Sequence, residues 1–382
     1  MVANKQRLRE LAALRPDGQK VLSLYLNLDP SEFPTPRDRA VELESLLGVV
    51  ERELREDSLT HAQREALKRD IARVRSFFER EFDASGTRGV AVFSASAIDF
   101  FDVHRLARPV RSEVAIDDSP FIEPLIELLG TSGNWMVVLV NRQTGRLLRG
   151  DRDHLEELAA VEDDVHGQHS QGGWSQARYQ RSVDEDVQDH FRNVAEAVFV
   201  HFKRHSFDHL LLGGPTDALT EFEGKLHAYL RERLAGRIEI DVENSSADDV
   251  ATAAATKIAE FEQAEEREAL GRLREGVSKG TRGAAGLDDV LAALNERRVE
   301  TLLVNQGFQA NGCTCPQCGS VYSQDGGTCP ADGSELDCRD DVLESAMRLA
   351  LEQSAKVLVF GYDDDNRGEL EDHGDIAAVL RF

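Results

Sequence analysis

Apolar and polar positions alternate along this chain in stretches that predict strands and helices in turn. Val21-Leu22-Ser23-Leu24-Tyr25-Leu26-Asn27-Leu28 is a short apolar run and predicts a strand. Pro30, Pro34 and Pro36 punctuate the loop that follows. Residues 38–56 and 60–82 predict two helices, with Leu43, Leu46, Leu47, Val50 and Leu54 on one face of the first. Gly89–Phe93 and Ile98–Val103 predict returning strands. A second block opens with the apolar run Trp135–Val140, turns at Arg142-Gln143-Thr144, and continues as strand Gly145–Gly150. Beyond Trp174, apolar residues at Tyr179, Val183, Val187, Phe191, Val194, Val198 and Phe202 recur every three or four positions. That spacing marks the buried face of a long helix, so these are packing residues rather than a cofactor box. Leu210–Thr216 reads as a strand entering a helix through Gly213-Gly214; no lysine or phosphate-loop spacing follows.

A third block begins near residue 269. A Gly-rich joint over 280–286 precedes a helix Leu287–Arg297, a strand Thr301–Val304, a helix Asp341–Gln353, a strand Lys356–Phe360 and a terminal apolar stretch from Ile376. The alternation predicts an α/β chain of mixed sheets layered with helices. Its 382 residues suit three domains, at 1–130, 134–268 and 269–382.

Composition narrows the function. Apolar residues make up 41% of the chain, enough for real cores rather than disorder. Seventy acidic and 45 basic residues leave a net charge of −25, which repels nucleic acid at long range and excludes a general nucleic-acid binder. No apolar run approaches the ~20 residues a membrane helix needs. Met1–Glu10 contains no signal-peptide core, so a cytoplasmic location and no membrane partner are expected.

Against this acidic background, no acid lies between Asp164 and Asp184. The nineteen residues between them carry Arg178 and Arg181 as fixed charges, with His166 and His169. At the centre stands Gly172-Gly173-Trp174-Ser175-Gln176, followed by Arg178, Tyr179 and Arg181. Two glycines let backbone approach a crowded surface without side-chain clash, and Ser175 suits a helix N-cap. An indole offers one donor, no acceptor and a broad face for stacking on an unpaired base.

This stretch resembles the Gly-Gly-Gln loop of archaeal and eukaryotic class-I translation release factors, the superfamily that includes Pelota. The family pattern is Gly-Gly-Gln-Ser, two variable residues, Arg, an aromatic, one variable residue and Arg. Gly172, Gly173, Ser175, Arg178, Tyr179 and Arg181 match it, whereas Trp174 replaces the catalytic glutamine. The terminal Gly-Asp-Ile-Ala-Ala-Val-Leu-Arg-Phe resembles the family's last domain, which meets a partner GTPase. The first block resembles the codon-reading domain more loosely. Glu32–Arg37 and Phe93-Ser94-Ala95 stand near the places of the Asn-Ile-Lys-Ser and Tyr-x-Cys elements, so no stop-codon readout is expected. Arg105, Arg108 and Arg111 read equally as RNA contacts or as a solvated strand end.

All five cysteines fall within 26 residues of the third block, at Cys313, Cys315, Cys318, Cys329 and Cys338. In a chain read as cytoplasmic this points to metal rather than disulfides. Cys315-Pro316-Gln317-Cys318 forms one half-site and Cys329-Pro330-Ala331-Asp332 the other. The expected ligands are Cys315, Cys318, Cys329 and Asp332, with Cys313 or Cys338 as alternatives for the fourth. Tetrahedral sulfur ligation favours Zn²⁺ in a closed, structural role, within an insert over 311–338. Archaeal members of the family also carry a zinc-binding insert here.

Asp184-Glu185-Asp186 and Asp363-Asp364-Asp365 read as solvated charge, and no complete nucleotide-binding motif is present. No catalytic residue is assigned. The resemblance implies a release-factor-like architecture and a factor that enters the ribosomal A site as a hibernation or rescue factor, Balon-like, without peptide release. Gly172, Gly173, Trp174, Ser175, Gln176, Arg178 and Arg181 would contact RNA, and the partners would be ribosomal RNA and a translational GTPase such as elongation factor Tu. The alternatives are a peptidyl-tRNA hydrolase or release factor, and an RNA nuclease acting through His166 or His169.

Overall fold

The computed structural model describes residues 5–55, 59–106, 108–130, 134–152, 155–162, 176–204, 206–339, 341–361 and 366–382. Its elements group into two compact units. One comprises Met1–Thr131 with Glu266–Phe382, the other Ser132–Glu265. The architecture is mixed α/β throughout.

In the first unit, strands Phe100–Leu106, Gly89–Ala95, Val21–Asn27 and Glu113–Asp117 form an antiparallel sheet in that order. Strand side chains alternate between faces. Leu22, Leu24 and Leu26 therefore meet Leu43, Leu46, Leu47 and Val50 of helix Pro36–Glu53, while Tyr25 enters a different core. Both faces are covered, which is why the strand reads as one continuous apolar run. Helices Pro36–Glu53 and His61–Arg80 each start in a capping box, Thr35 with Asp38 and Thr60 with Gln63. The second returning strand begins at Phe100 rather than Ile98. Ser96–Ile98 form a 3₁₀ turn, and Asp99 is left-handed at φ 52°.

The other sheet of this unit runs Gly283–Ala285, Ile376–Leu380, Val299–Asn305, Lys356–Phe360. Part of the expected Gly-rich joint is thus an edge strand, paired through Gly283 to Val379. One face of this sheet shares a core with Tyr25, Phe93, Ile122 and Leu125. Polar bonds join the same elements. Tyr25 Oη donates to the Phe121 carbonyl at 2.7 Å, and Arg348 Nη2 donates to the Pro120 carbonyl at 2.9 Å. The sequence reading missed helices Lys5–Ala13 and Glu123–Gly130, which pack into this shared core through Leu8, Leu11, Ile126 and their neighbours.

The second unit is a five-stranded sheet ordered Leu155–Glu162, Thr144–Gly150, Trp135–Val140, His209–Gly213, Leu234–Ile238. Trp135–Val140 and Thr144–Gly150 form the expected hairpin, and His209–Gly213 lies parallel beside it. One face takes the long helix Gln176–Arg204 through Val187, Phe191, Val194 and Val198. The other takes Val250, Ala254 and Ile258 of helix Ala247–Ser278. Gly213-Gly214 is a packing requirement: a Cβ on Gly214, at φ +140°, would sit 2.3 Å from the Val140 carbonyl oxygen.

No helix among the described residues is long and apolar enough to cross a membrane.

Candidate functional site

A three-stranded sheet carries the cysteine-rich insert. Gly312–Thr314 lies at its centre, flanked by Val321–Tyr322 and Asp337–Arg339. Two turns project from it with the same hydrogen bonding. Cys315 N–H donates to the Ser320 carbonyl at 2.8 Å, and Gly319 N–H returns to the Cys315 carbonyl at 2.9 Å. Fourteen residues on, Cys329 N–H donates to Ser334 at 2.8 Å and Gly333 N–H to Cys329 at 2.9 Å. Gly319 and Gly333 are left-handed, at φ +73° and +76°, which closes each turn without a Cβ penalty.

The turns bring four ligand atoms together. The thiols of Cys315, Cys318 and Cys329 and a carboxylate oxygen of Asp332 all lie within 4.8 Å of one another and could hold a metal ion. Cys318 Sγ and Cys329 Sγ are 3.6 Å apart. Two thiolates at about 2.3 Å from a tetrahedral Zn²⁺ would be separated by about 3.8 Å, so the spacing fits such an ion. Cys315 and Cys329 are buried while Cys318 and Asp332 face solvent. Three thiols and a carboxylate leave no vacant position in a tetrahedral site.

The surroundings favour the charged forms of Asp332 and Cys315, whereas hydrogen bonds with Ser320 pull the Cys318 thiol down but those with Cys315 and Cys329 prevail and push it up. Hydrogen bonds from the Ser334 hydroxyl and N–H hold the Asp332 carboxyl well below the usual carboxylate range. Burial pushes the Cys315 thiol up, but the Cys318 N–H and the Ser334 hydroxyl pull it down and prevail. Backbone N–H groups also reach two of the sulfurs, from Cys318 to Cys315 at 3.3 Å and from Ala331 to Cys329 at 3.4 Å. Ser320, Tyr322 and Ser334 form a supporting ring that the sequence reading did not name. A signal for part of it was present: Gly-Ser follows both half-sites, as Gly319-Ser320 and Gly333-Ser334.

Cys313 and Cys338 stand apart from this cluster. They occupy directly opposed positions on neighbouring strands and form a disulfide. The expectation of metal rather than disulfides therefore fails for these two, while the other three cysteines meet in a cluster that could hold a metal ion. The strand register faces them towards each other, so neither supplies the fourth ligand.

The glycine-rich loop falls outside the described residues at Gly172, Gly173, Trp174 and Ser175, as do His166, His169 and 363–365. Gln176, Arg178 and Arg181 lie on the backbone of helix Gln176–Arg204, whose side chains are described from Asp184 onward. In the first unit, the Arg105 guanidinium lies 5.6 Å from the centre of the Phe82 ring. Arg111 lines a cavity of about 500 Å³ with Asn27, Glu32, Phe33 and Glu42.

Comparison with known proteins gives a consistent pattern. Residues 120–259 match the model of bacterial archaeo-eukaryotic release factor family 10, and residues 263–382 match eRF1 domain 3. The chain is 25% identical over 404 residues to peptide chain release factor subunit 1 of Archaeoglobus fulgidus, covering 99% of this chain and 96% of that one. It is 28% identical over 288 residues to the corresponding protein of Thermoplasma acidophilum, covering 69% and 68%. Among solved structures, an archaeal translation termination factor aligns over 100% of this chain and 99% of its own, at 17% identity and a TM-score of 0.27.

Proposed function

The chain is a bacterial archaeo-eukaryotic release-factor-like protein, and from that premise we propose that it is a translation factor that occupies the ribosomal A site without releasing peptide. The observation that carries this reading is Trp174, which stands between Gly173 and Ser175 where the family places its catalytic glutamine. A hydrolytic factor must hold a water in line with the peptidyl-tRNA ester, and the accepting oxygen of an amide side chain suits that task. The indole supplies only its N–H and fills the volume the water needs. Its broad face suits stacking on an unpaired base. Gly172, Gly173, Ser175 and Gln176 would approach the RNA beside it, and Arg178 and Arg181 offer phosphate contacts on a stretch free of acids. In a chain of net charge −25, such a stretch favours contact with RNA there.

The described site fits a structural metal, and we assign it Zn²⁺ on its three sulfurs and one oxygen. Cys315, Cys318, Cys329 and Asp332 would hold the ion, which would tie two turns of a small polar insert that lacks a core large enough to fold unaided. The last segment, matched by eRF1 domain 3, is the part we assign to a translational GTPase such as elongation factor Tu. Occupancy without hydrolysis suits a hibernation or rescue factor acting in the cytoplasm.

The test is a cryo-EM map of the full chain added to ribosomes. Density for residues 166–181 at the peptidyl-transferase centre is the expected result. A chain that fails to associate, or that binds away from the A site, would contradict the reading.

A further inference from the structure

One surface of the second unit departs from the acidic character of the chain. Lys203 and Arg204 are exposed at the end of helix Gln176–Arg204. The segment 225–233 adds Lys225, Arg231 and Arg233 against a single acid, Glu232. Among the described residues, no carboxylate pairs with any of these five cations, whereas the neighbouring Glu221 and Glu223 are taken by Gln188 and Arg237.

The two segments are joined by stacked rings. Phe199 stacks on His227 with centroids 4.4 Å apart and planes 15° apart, and His227 stacks on Tyr229 at 5.0 Å and 30°. Two rings cannot share one imidazole face, so the three form a column. The Lys203 ammonium lies 4.7 Å from the Phe199 centroid. Tyr229 is 57% exposed. Its backbone is held on both sides: its N–H donates to His227 Nδ1 at 3.3 Å, and its carbonyl accepts from Arg233 at 2.7 Å. A ring fixed in this way loses little conformational freedom when something stacks on it.

We propose that this column and its cations form a second RNA-contact surface, with Tyr229 stacking on an unpaired nucleobase and Lys203, Arg204 and Arg231 on the flanking phosphates. Aromatic stacking next to unpaired cations is the chemistry that binds single-stranded RNA. A protein partner fits less well. The only other large apolar side chain exposed among the described residues of this unit is Leu158, on the strand at the opposite edge of the sheet. That leaves no apolar patch to form an interface core. The surface lies at the far end of the helix from Gln176: at 1.5 Å per residue, Gln176 and Lys203 are about 40 Å apart along it. That the RNA is ribosomal rests on the translation-factor reading; the contact chemistry does not.

The test measures anisotropy of a labelled twelve-nucleotide oligouridine titrated with the full chain at low salt. It is run in the wild-type background and in one carrying Trp174→Ala, Arg178→Glu and Arg181→Glu, which removes the loop's contribution. In both, Tyr229→Ala should weaken binding about 5-fold or more and Tyr229→Phe should leave it nearly unchanged. Lys203→Glu with Arg231→Glu should weaken binding and flatten its salt dependence by roughly 0.7 log units per lost contact. These positions are exposed, and unchanged circular dichroism would show that the fold persists. Binding of Tyr229→Ala equal to its parent in both backgrounds would overturn the proposal. So would loss of ribosome association with oligonucleotide binding unchanged, which would assign the surface to a protein. Tyr229-dependent oligonucleotide binding by a chain that ignores ribosomes would support this surface and contradict the translational reading instead.

Discussion

Asp332 holds in the second turn of the insert the place that Cys318 holds in the first. Each follows a cysteine by three residues, and each precedes a left-handed glycine, Gly333 or Gly319. Their ligand atoms fall in one cluster with Cys315 and Cys329. A carboxylate has thus taken a thiolate's position without change to the backbone frame. Metal analysis of the purified chain should find one Zn²⁺ per molecule. Cys318→Ser should lower zinc affinity by more than about tenfold, since even outer-shell changes reach that size. Asp332→Cys should keep the metal, and Asp332→Ala should weaken it. A zinc-free native chain of unchanged thermal midpoint would remove the assignment.

The disulfide separates the two remaining cysteines from this chemistry. Cys313→Ser with Cys338→Ser should leave metal stoichiometry at one while lowering thermal stability. Closing a loop of 25 residues contributes at most about 3.5 kcal/mol in the chain-entropy account. Loss of zinc in this double variant, measured by mass spectrometry of the native protein, would place one of these thiols in the site.

A pH dependence follows from Glu123, at the start of helix Glu123–Gly130. Burial, and then the nearby Asp341, Glu127, Glu344 and Glu113, push its carboxyl up from 4.5 to about 8. The folded state therefore holds the proton more tightly than the unfolded chain does. Its contribution to stability is fully present below about pH 4.5 and is lost as pH rises through about 8. Glu123→Gln should raise the thermal midpoint at pH 8 and change it little at pH 4.5. An equal shift at both would contradict the account.

Reversing charge at Arg178 and Arg181 should weaken co-sedimentation with ribosomes most at low salt, and the deficit should narrow as salt rises, because losing phosphate contacts flattens the salt dependence of RNA binding. A double variant that pellets like the wild type at every salt concentration would show that the loop is not an anchor.

Much of this fold was legible where one pattern dominates. The run Val21–Leu28 follows from a strand buried on both faces and the three-and-four spacing from Val187 to Val198 from one buried helical face, and both elements lie where the pattern puts them. Helix Glu123–Gly130 was missed because its short apolar run has no clear period. The shared core of Tyr25 with Leu302 and Ile376 joins residues hundreds of positions apart, which no local pattern reports. Cys315, Cys318, Cys329 and Asp332 could be read from spacing because a tight turn presents positions three apart to one point. The pairing of Cys313 with Cys338 could not, since it depends on the register of two strands separated in sequence by the whole insert.

The most direct test of the central claim is release of labelled peptide from ribosomes carrying peptidyl-tRNA, measured with the wild-type chain at saturating concentration. Holding a water in line with the ester is worth several kcal/mol, and Trp174 provides no side-chain acceptor for it. The account predicts negligible release together with blocked aminoacyl-tRNA entry. Rapid release over multiple turnovers by the wild-type chain would contradict it and identify a peptidyl-tRNA hydrolase instead.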